Sequence, residues 1–395
     1  MPGGDILRVL TLATLYPDSV RPNLGLLIER QTLELAKRPG VEVRVVAPVL
    51  QPLLARLAPR RHPLAPALRN LPEREQWKGL DTWRPKAFRI ARLRRTIPAL
   101  LARQLLPLLR RLRADFPFEI IDAEIFWPDG VAAMHLASAL AIPFSIKARG
   151  GGDIPLAPPA AWMRRQLVRA GDKAGGMLAV SGDLRAAMIA LGLPGERIAV
   201  HLTGVDPSLF HPGDRAAAKA ALGLSGPVLL VVGTLGPRKG QSLAIRALRE
   251  LPEATLILAG SGPSWRDLAA EAARLGVANR VRLLGSRPQA ELPGLYRAAD
   301  VTLLPSRSEG LANSLVESLA CGTPVVTTSV FGAGDIVDRP EAGRIVARDP
   351  AAFAAAVREL LAAPPPPDST AAAIVAKFSW ASNAAQLEAH LRSLA

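Results

Sequence analysis

Two acidic residues, Glu309 and Glu317, are separated by seven others, and the loop from Gly233 to Gly240 carries adjacent cations at Arg238 and Lys239. An ionised carboxylate accepts two hydroxyl hydrogen bonds at once, so each glutamate suits a polyol. A glycine-framed loop bearing a lysine, set between a strand and a helix, suits a phosphate. Gly310 follows Glu309 and opens a helix, whose N-terminal N–H groups and partial positive charge also attract anions. A carboxylate beside such an anion site is unfavourable unless it faces something else, and sugar hydroxyls meet that need. The pair therefore suits two polyols on either side of a diphosphate. A purely structural alternative is that Glu309 caps the helix and Glu317 is a solvated charge.

These residues require particular elements to position them. Val301, Thr302, Leu303 and Leu304, between Asp300 and Pro305, form an apolar run that predicts a buried parallel strand. Leu311, Leu315 and Leu319 then recur every fourth position and stop at Gly322 and Pro324, which predicts a helix; Val325 and Val326 begin the next strand. The same order appears at Val228 to Val232, the loop Gly233 to Gly240 and the helix from Gln241, without the GxxxxGK[ST] string of a P-loop. It appears again at Ile6 to Ala13, the loop Leu15 to Gly25, a helix through Lys37 and the strand Val41 to Ala47. Repeated strand–loop–helix units predict an α/β fold of doubly wound parallel sheets, with ligands beyond the carboxyl ends of the strands.

The string EGLANSLVESLACGTPVV, together with the Gly233–Gly240 loop and the first loop YPDSVRPNLGLLIERQ, resembles the retaining GT-B glycosyltransferases of family 4. That resemblance implies two Rossmann-like domains facing a central cleft. An N-terminal acceptor-side domain would span 1–205, with a basic insertion at about 51–116. A C-terminal donor domain would span 206–375, and a helix over 376–395 would return to the first domain. It implies a nucleotide diphosphate sugar as donor, a glycan or lipid-linked acceptor and no cofactor or metal. Glu309 would meet the donor sugar and Glu317 the ribose, while Lys239 and Arg238 stabilise the leaving diphosphate. Gly25, Gly233, Thr234, Ser286, Gly310, Leu311 and Ala312 would complete the donor site. Thr234 stands where relatives carry an arginine, and Arg238 is the candidate replacement charge. Arg149 and Asp153, in a loop with three glycines, occupy the acceptor or reacting-centre loop; Arg149 replaces the usual histidine and cannot act as a base. Two rivals remain open, a nucleotide-sugar epimerase on the same fold and a non-catalytic nucleotide-sugar-binding or scaffold protein. Envelope or exopolysaccharide synthesis is the expected setting.

Composition sets the outer limits. The 395 residues and 49 % apolar content allow two or three cored domains. The single cysteine, Cys321, excludes a disulfide framework and fits a cytoplasmic home. No Asp-x-Asp pair occurs, and the five histidines are scattered, so no metal site is expected. No apolar run is long enough to span a bilayer, and no signal peptide is read at the N-terminus. The net charge of +15 includes ten basic and no acidic residues between Arg84 and Arg113, where Leu101, Leu105, Leu108 and Leu112 form a helical stripe. Two readings of that segment stand: leucines packed on their own domain, or peripheral contact with an anionic membrane at its inner face. Nucleic acid is not expected, because aromatic residues for base stacking are nearly absent there.

Overall fold

The structure, a computed structural model, describes residues 6–53, 64–90, 93–150, 154 and 159–395. The chain forms two compact units, one of residues up to Thr203 with Trp380–Ala395, the other Gly204–Ser379. The crossings fall at 203/204 and 379/380 rather than after 205 and 375, because Val205 bridges Ser379 and its N–H donates to the Phe378 carbonyl at 2.8 Å. That pairing ties both residues into the second unit.

Chain order in the first unit gives the strands β1 (Leu7–Leu12), β2 (Val41–Val46), β3 (Val49–Pro52), β4 (Arg74–Trp77), β5 (Leu80–Trp83), β6 (Lys86–Arg89), β7 (Ile120–Ala123), β8 (Phe144–Ala148), β9 (Gly176–Ala179) and β10 (Ile198–Val200). Eight of them form one sheet in the order β10-β9-β8-β7-β1-β2-β5-β4, while β3 and β6 pair separately in parallel. Only β4 and β5 are antiparallel within the large sheet. The order reverses at β1, between β7 and β2, which puts the loops after β1 and β7 at the crevice where such sheets bind ligands. The helix Trp380–Arg392 packs on the helix Leu26–Ala36, burying Leu387 and Leu391 with Leu7, Val9 and Leu35.

The second unit contains β11 (Val228–Val232), β12 (Thr255–Ala259), β13 (Val281–Gly285), β14 (Val301–Leu304), β15 (Val325–Thr328) and β16 (Gly343–Val346). All pairings are parallel, in the order β13-β12-β11-β14-β15-β16, with the reversal between β11 and β14. Its core joins β11, β12, β14 and β15 to the helices Gln241–Ala247 and Pro350–Ala362. Pro367, which reads as part of a stiff proline linker, instead opens a helix, Pro367–Lys377, where its fixed φ suits the first turn.

The segment 51–116 contains more regular structure than its proline and arginine content suggests. Strands β4 and β5 turn through Lys78 and Gly79, both at positive φ, and extend the main sheet. Arg84, the first residue of the basic run, is not a surface cation: it is 1 % exposed, ion-paired with Glu75 and stacked over Trp77. Leu101, Leu105, Leu108 and Leu112 lie in the helix Ile97–Asp115, and all four are buried, the helix packing on Val131–Leu140. Their apolar face is thus covered by their own domain, and Arg103, Arg110 and Arg111 remain outside. Among the described residues no helix is long and apolar enough to cross a membrane.

Burial of this stripe fixes a testable cost. Leu105→Ala should lower the unfolding free energy by about 2–5 kcal/mol in urea titrations. A loss under about 1 kcal/mol would show that the leucine face is not part of the core.

Candidate functional site

In the second unit, the loop after β11 and the loop after β14 flank the sheet's reversal point and touch each other. Arg307 donates its N–H to the Arg238 carbonyl at 2.8 Å, and Arg238 Nη1 donates to the Ser308 carbonyl at 2.7 Å. Close approach of the neighbouring loops needs glycine: a side chain at Gly260, after β12, would run into the carbonyl of Gly233. Across the junction lies Glu309, 7 % exposed, whose Oε1 is 2.8 Å from Lys239 Nζ and whose Oε2 is 3.3 Å from Arg238 Nη1. Lys239 is half-buried, its stem lying over Gly233, whereas Arg238 stays exposed.

The helix Asn313–Ala320 follows directly, and Ala312 at its N-cap supplies no side-chain hydrogen bond. Glu309 therefore does not cap the helix, which sets aside the purely structural reading of that residue. A helix tip without a side-chain cap, preceded by the buried Gly310, Leu311 and Ala312, can receive an anion. Glu317 sits in the second turn of this helix, and Tyr296 Oη donates to its Oε2 at 2.8 Å. Burial pushes the Glu317 carboxyl up to about 7, and the Tyr296 hydrogen bond opposes that rise. Some surface at Glu317 remains accessible, so hydrogen bonds from a bound polyol would favour the charged form.

The remaining donor-side residues do not join this cluster through contacts. Thr234 is exposed, and its carbonyl accepts from Gln241 Nε2 at 3.0 Å; Ser286 is exposed just after β13. Both still lie at the carboxyl edge of the sheet, beyond β11 and β13.

The first unit holds a second polar assembly that sequence patterns did not reveal. Arg149, just after β8, donates to the Glu124 carbonyl at 2.9 Å and ion-pairs with the Glu124 carboxylate. Gln31 Nε2 donates to Glu124 Oε1 at 2.6 Å, and Lys147 Nζ donates to Gln31 Oε1 and to His201 Nδ1. His201 Nε2 in turn meets the Asn383 carbonyl at 2.9 Å, and Ser145 Oγ lies 2.9 Å from His390 Nε2. Lys147 is fully buried; burial first, and Arg149 next, lower its pKa to about 7. Burial likewise raises the Asp122 carboxyl and lowers His201 to about 2 and His390 to about 4. Asp122 and Glu124 come from β7 and its end, Lys147 from β8 and Gln31 from the helix Leu26–Ala36, so only the tertiary fold brings them together. Arg149 is thereby a fixed cation rather than a mobile one.

Gly25 is at φ 70°, and a side chain there would strike the Leu15 carbonyl, so its glycine is explained by closure of the loop after β1. Asp153 lies outside the described residues. Cys321 is buried, and burial raises its thiol to about 12. Among the described residues no cluster of three or more histidine, cysteine or acidic side chains could hold a metal ion.

The sequence matches the family described as Glycosyltransferase Family 4 over residues 28–209 and the family described as Glycosyl transferases group 1 over residues 226–363. A D-inositol 3-phosphate glycosyltransferase of Frankia alni is 33 % identical over 298 residues, covering 68 % of this chain and 72 % of that one. The corresponding protein of Thermobispora bispora is 40 % identical over 213 residues, 49 % of this chain and 50 % of its own. The chain thus spans about half the length of the Thermobispora relative and of a Segniliparus rotundus protein of the same name. Among solved structures, sucrose-phosphate synthase from Thermosynechococcus elongatus aligns with a TM-score of 0.81 at 20 % identity, over 98 % of this chain and 99 % of that one. Anabaena HepE in complex with UDP-glucose aligns with a TM-score of 0.73 at 19 % identity, over 98 % and 100 % of the two chains. These neighbours share the GT-B fold.

The raised carboxyl of Glu317 has a pH signature. Its folded pKa of about 7 exceeds the ordinary 4.5, so between those values the folded chain keeps a proton that the unfolded chain has lost. This residue's contribution to stability therefore falls as pH rises from about 4.5 to 7. His201 and His390, depressed in the fold, act with the opposite sign in part of that window. The difference between wild type and Glu317→Gln cancels their effect: the variant should gain stability relative to wild type as pH rises toward 7 in urea titrations. A pH-independent difference would contradict the buried carboxyl.

Proposed function

Because the chain belongs to glycosyltransferase family 4, we propose that it moves a hexose-type sugar from a nucleotide diphosphate sugar to a glycan or lipid-linked acceptor, with retention at the anomeric carbon, in the synthesis of a bacterial envelope glycan or exopolysaccharide. The observation that carries this reading is the Glu309 carboxylate held by Lys239 and Arg238 beside a helix tip without a side-chain cap. A UDP-glucose complex of the HepE neighbour and the sugar-transferring names of the relatives support the donor class.

The chemistry assigned to each group follows from charge. As the bond between the anomeric carbon and the diphosphate breaks, negative charge grows on the departing oxygens. Lys239, Arg238 and the N–H groups at the start of Asn313–Ala320 are the donors that stabilise it, and they help catalysis to the extent that they bind the departing charge more tightly than the ground state. A diphosphate competes with Glu309 for the same two cations. Glu309, released in part from them, accepts hydroxyls of the transferred sugar, and Glu317 accepts those of the ribose. The sugar hydroxyls thus meet carboxylates, and the phosphates meet cations and N–H groups. Arg149 holds its charge at a fixed place on the acceptor-side unit and takes no proton in the reaction.

Incubation with a panel of nucleotide sugars and glycan or prenyl-linked acceptors, read as nucleotide release, tests the reading; tight donor binding without turnover across the panel would favour a binding protein instead. Glu309→Gln should lower kcat by about 100-fold or more while tightening nucleoside diphosphate binding, because it removes a competing anion. Lys239→Ala should weaken nucleoside diphosphate binding by roughly 10- to 100-fold, the scale of one charged hydrogen bond. Equal losses of kcat and affinity in the glutamate variant would contradict its role.

A further inference from the structure

Glu309 and Glu317 are held in different ways. Two cations pair with Glu309, at 2.8 and 3.3 Å, whereas Glu317 has no ion-pair partner among the described residues. Its carboxyl accepts one hydrogen bond from them, at Oε2 from Tyr296 Oη at 2.8 Å, and Oε1 is left without a protein partner. Part of the residue stays accessible. A carboxylate oxygen withdrawn from water without a partner is unfavourable, and a hydroxyl donated by a ligand removes the deficit.

Tyr296 is fixed on every side. It lies in the helix Leu292–Ala298 and is fully buried, and its ring meets the buried ring of Phe210 edge-on at 6.1 Å between centroids. Its carbonyl accepts from Thr323 Oγ1 at 2.7 Å, which ties this helix to the turn that ends Asn313–Ala320. The hydroxyl therefore has one place relative to Glu317. Its chemistry also suits the task. Burial first, and Glu317 next, hold the Tyr296 hydroxyl well above its ordinary pKa, so it stays a neutral O–H donor. A lysine or arginine there would hold Glu317 too, but its positive charge would compete with Lys239 and Arg238 for the diphosphate. A phenol fixes the carboxylate without attracting phosphate, and the free oxygen matches ribose hydroxyls, which donate.

We propose that Tyr296 is a positioning residue for the donor nucleotide: it holds Oε2 of Glu317 so that Oε1 faces the ribose, and thereby sets a preference for ribonucleotide over deoxyribonucleotide donors. The inference rests on the assignment of Glu317 to the ribose and adds the group that aims the carboxylate.

Calorimetric titration of the full chain with UDP, ADP and GDP selects the nucleoside diphosphate that binds most tightly; its 2′-deoxy and 3′-deoxy forms and inorganic pyrophosphate are then titrated in the same way. Wild type should bind the ribonucleotide roughly 10- to 100-fold more tightly than the weaker deoxy form, the scale of a hydrogen bond to a charged group. Tyr296→Phe, which keeps the ring, should lower that ratio by about threefold or more and leave pyrophosphate binding unchanged. In a Glu317→Ala background the same change should leave the ratio where it stands, since the group that Tyr296 aims is gone. An unchanged ratio in Tyr296→Phe would overturn the proposal. So would equal weakening of pyrophosphate and every nucleotide, the mark of a packing defect rather than of aim. Equal wild-type affinity for the ribonucleotide and its deoxy forms would remove the ribose assignment, and this proposal with it, while leaving the transferase reading in place. Binding of none of the three nucleoside diphosphates would remove both.

Discussion

A buried carboxylate must be paired, and in the second unit that constraint organises the site. Removing an ion such as the Glu309 carboxylate from water costs several kcal/mol, which only close counter-charges and good hydrogen bonds offset. Lys239 and Arg238 supply those charges from the opposite side of the sheet's reversal, at 2.8 and 3.3 Å. The pair therefore fastens the loop after β11 to the loop after β14, and the backbone contacts from Arg307 and Arg238 follow the same junction. It also keeps the cations beside the start of the helix Asn313–Ala320, whose N-cap Ala312 makes no side-chain hydrogen bond, and a doubly charged ligand can compete for them. Under the proposed function, the same contact serves both the fold and the chemistry.

Much of this junction is legible in the sequence because it lies on local patterns. The run Val301 to Leu304, the leucine spacing and the glycines give the strand–loop–helix order, and order alone places Lys239 and Glu309 at the same edge of one sheet. The helix begins at Asn313 rather than just after Gly310, since Ala312 has non-helical backbone and becomes the cap. Charge runs are less readable. Arg84 through Arg113 looks like one cationic surface segment, yet Arg84 is buried against Glu75 and Trp77, β6 intervenes, and the leucine stripe faces the domain's own helix. Periodicity identifies an apolar face but not what covers it.

The network around Glu124 and Lys147 shows the other limit. Each of its members sits in an apolar strand, at a strand end or on a distant helix, and nothing in the local spacing joins Gln31, Glu124, Lys147, His201 and Asn383. Parallel strand order brings β7 beside β8, and the C-terminal helix supplies Asn383 and His390 to the same polar core. The network explains what an arginine does at position 149: anchored on Glu124, it presents a constant charge at the end of β8. A histidine there would carry a charge that varies with pH.

The central claim is that Glu309 and a diphosphate share the same cations, and a double-mutant cycle on Glu309 and Lys239 reads that sharing directly. Nucleoside diphosphate affinity would be measured for wild type, Glu309→Gln, Lys239→Met and the double variant. Competition predicts that the glutamine change tightens binding when Lys239 is present and tightens it less when only Arg238 remains to be shared, a coupling of about 1 kcal/mol or more. Additivity within about 0.5 kcal/mol, the behaviour of independent sites, would contradict the account.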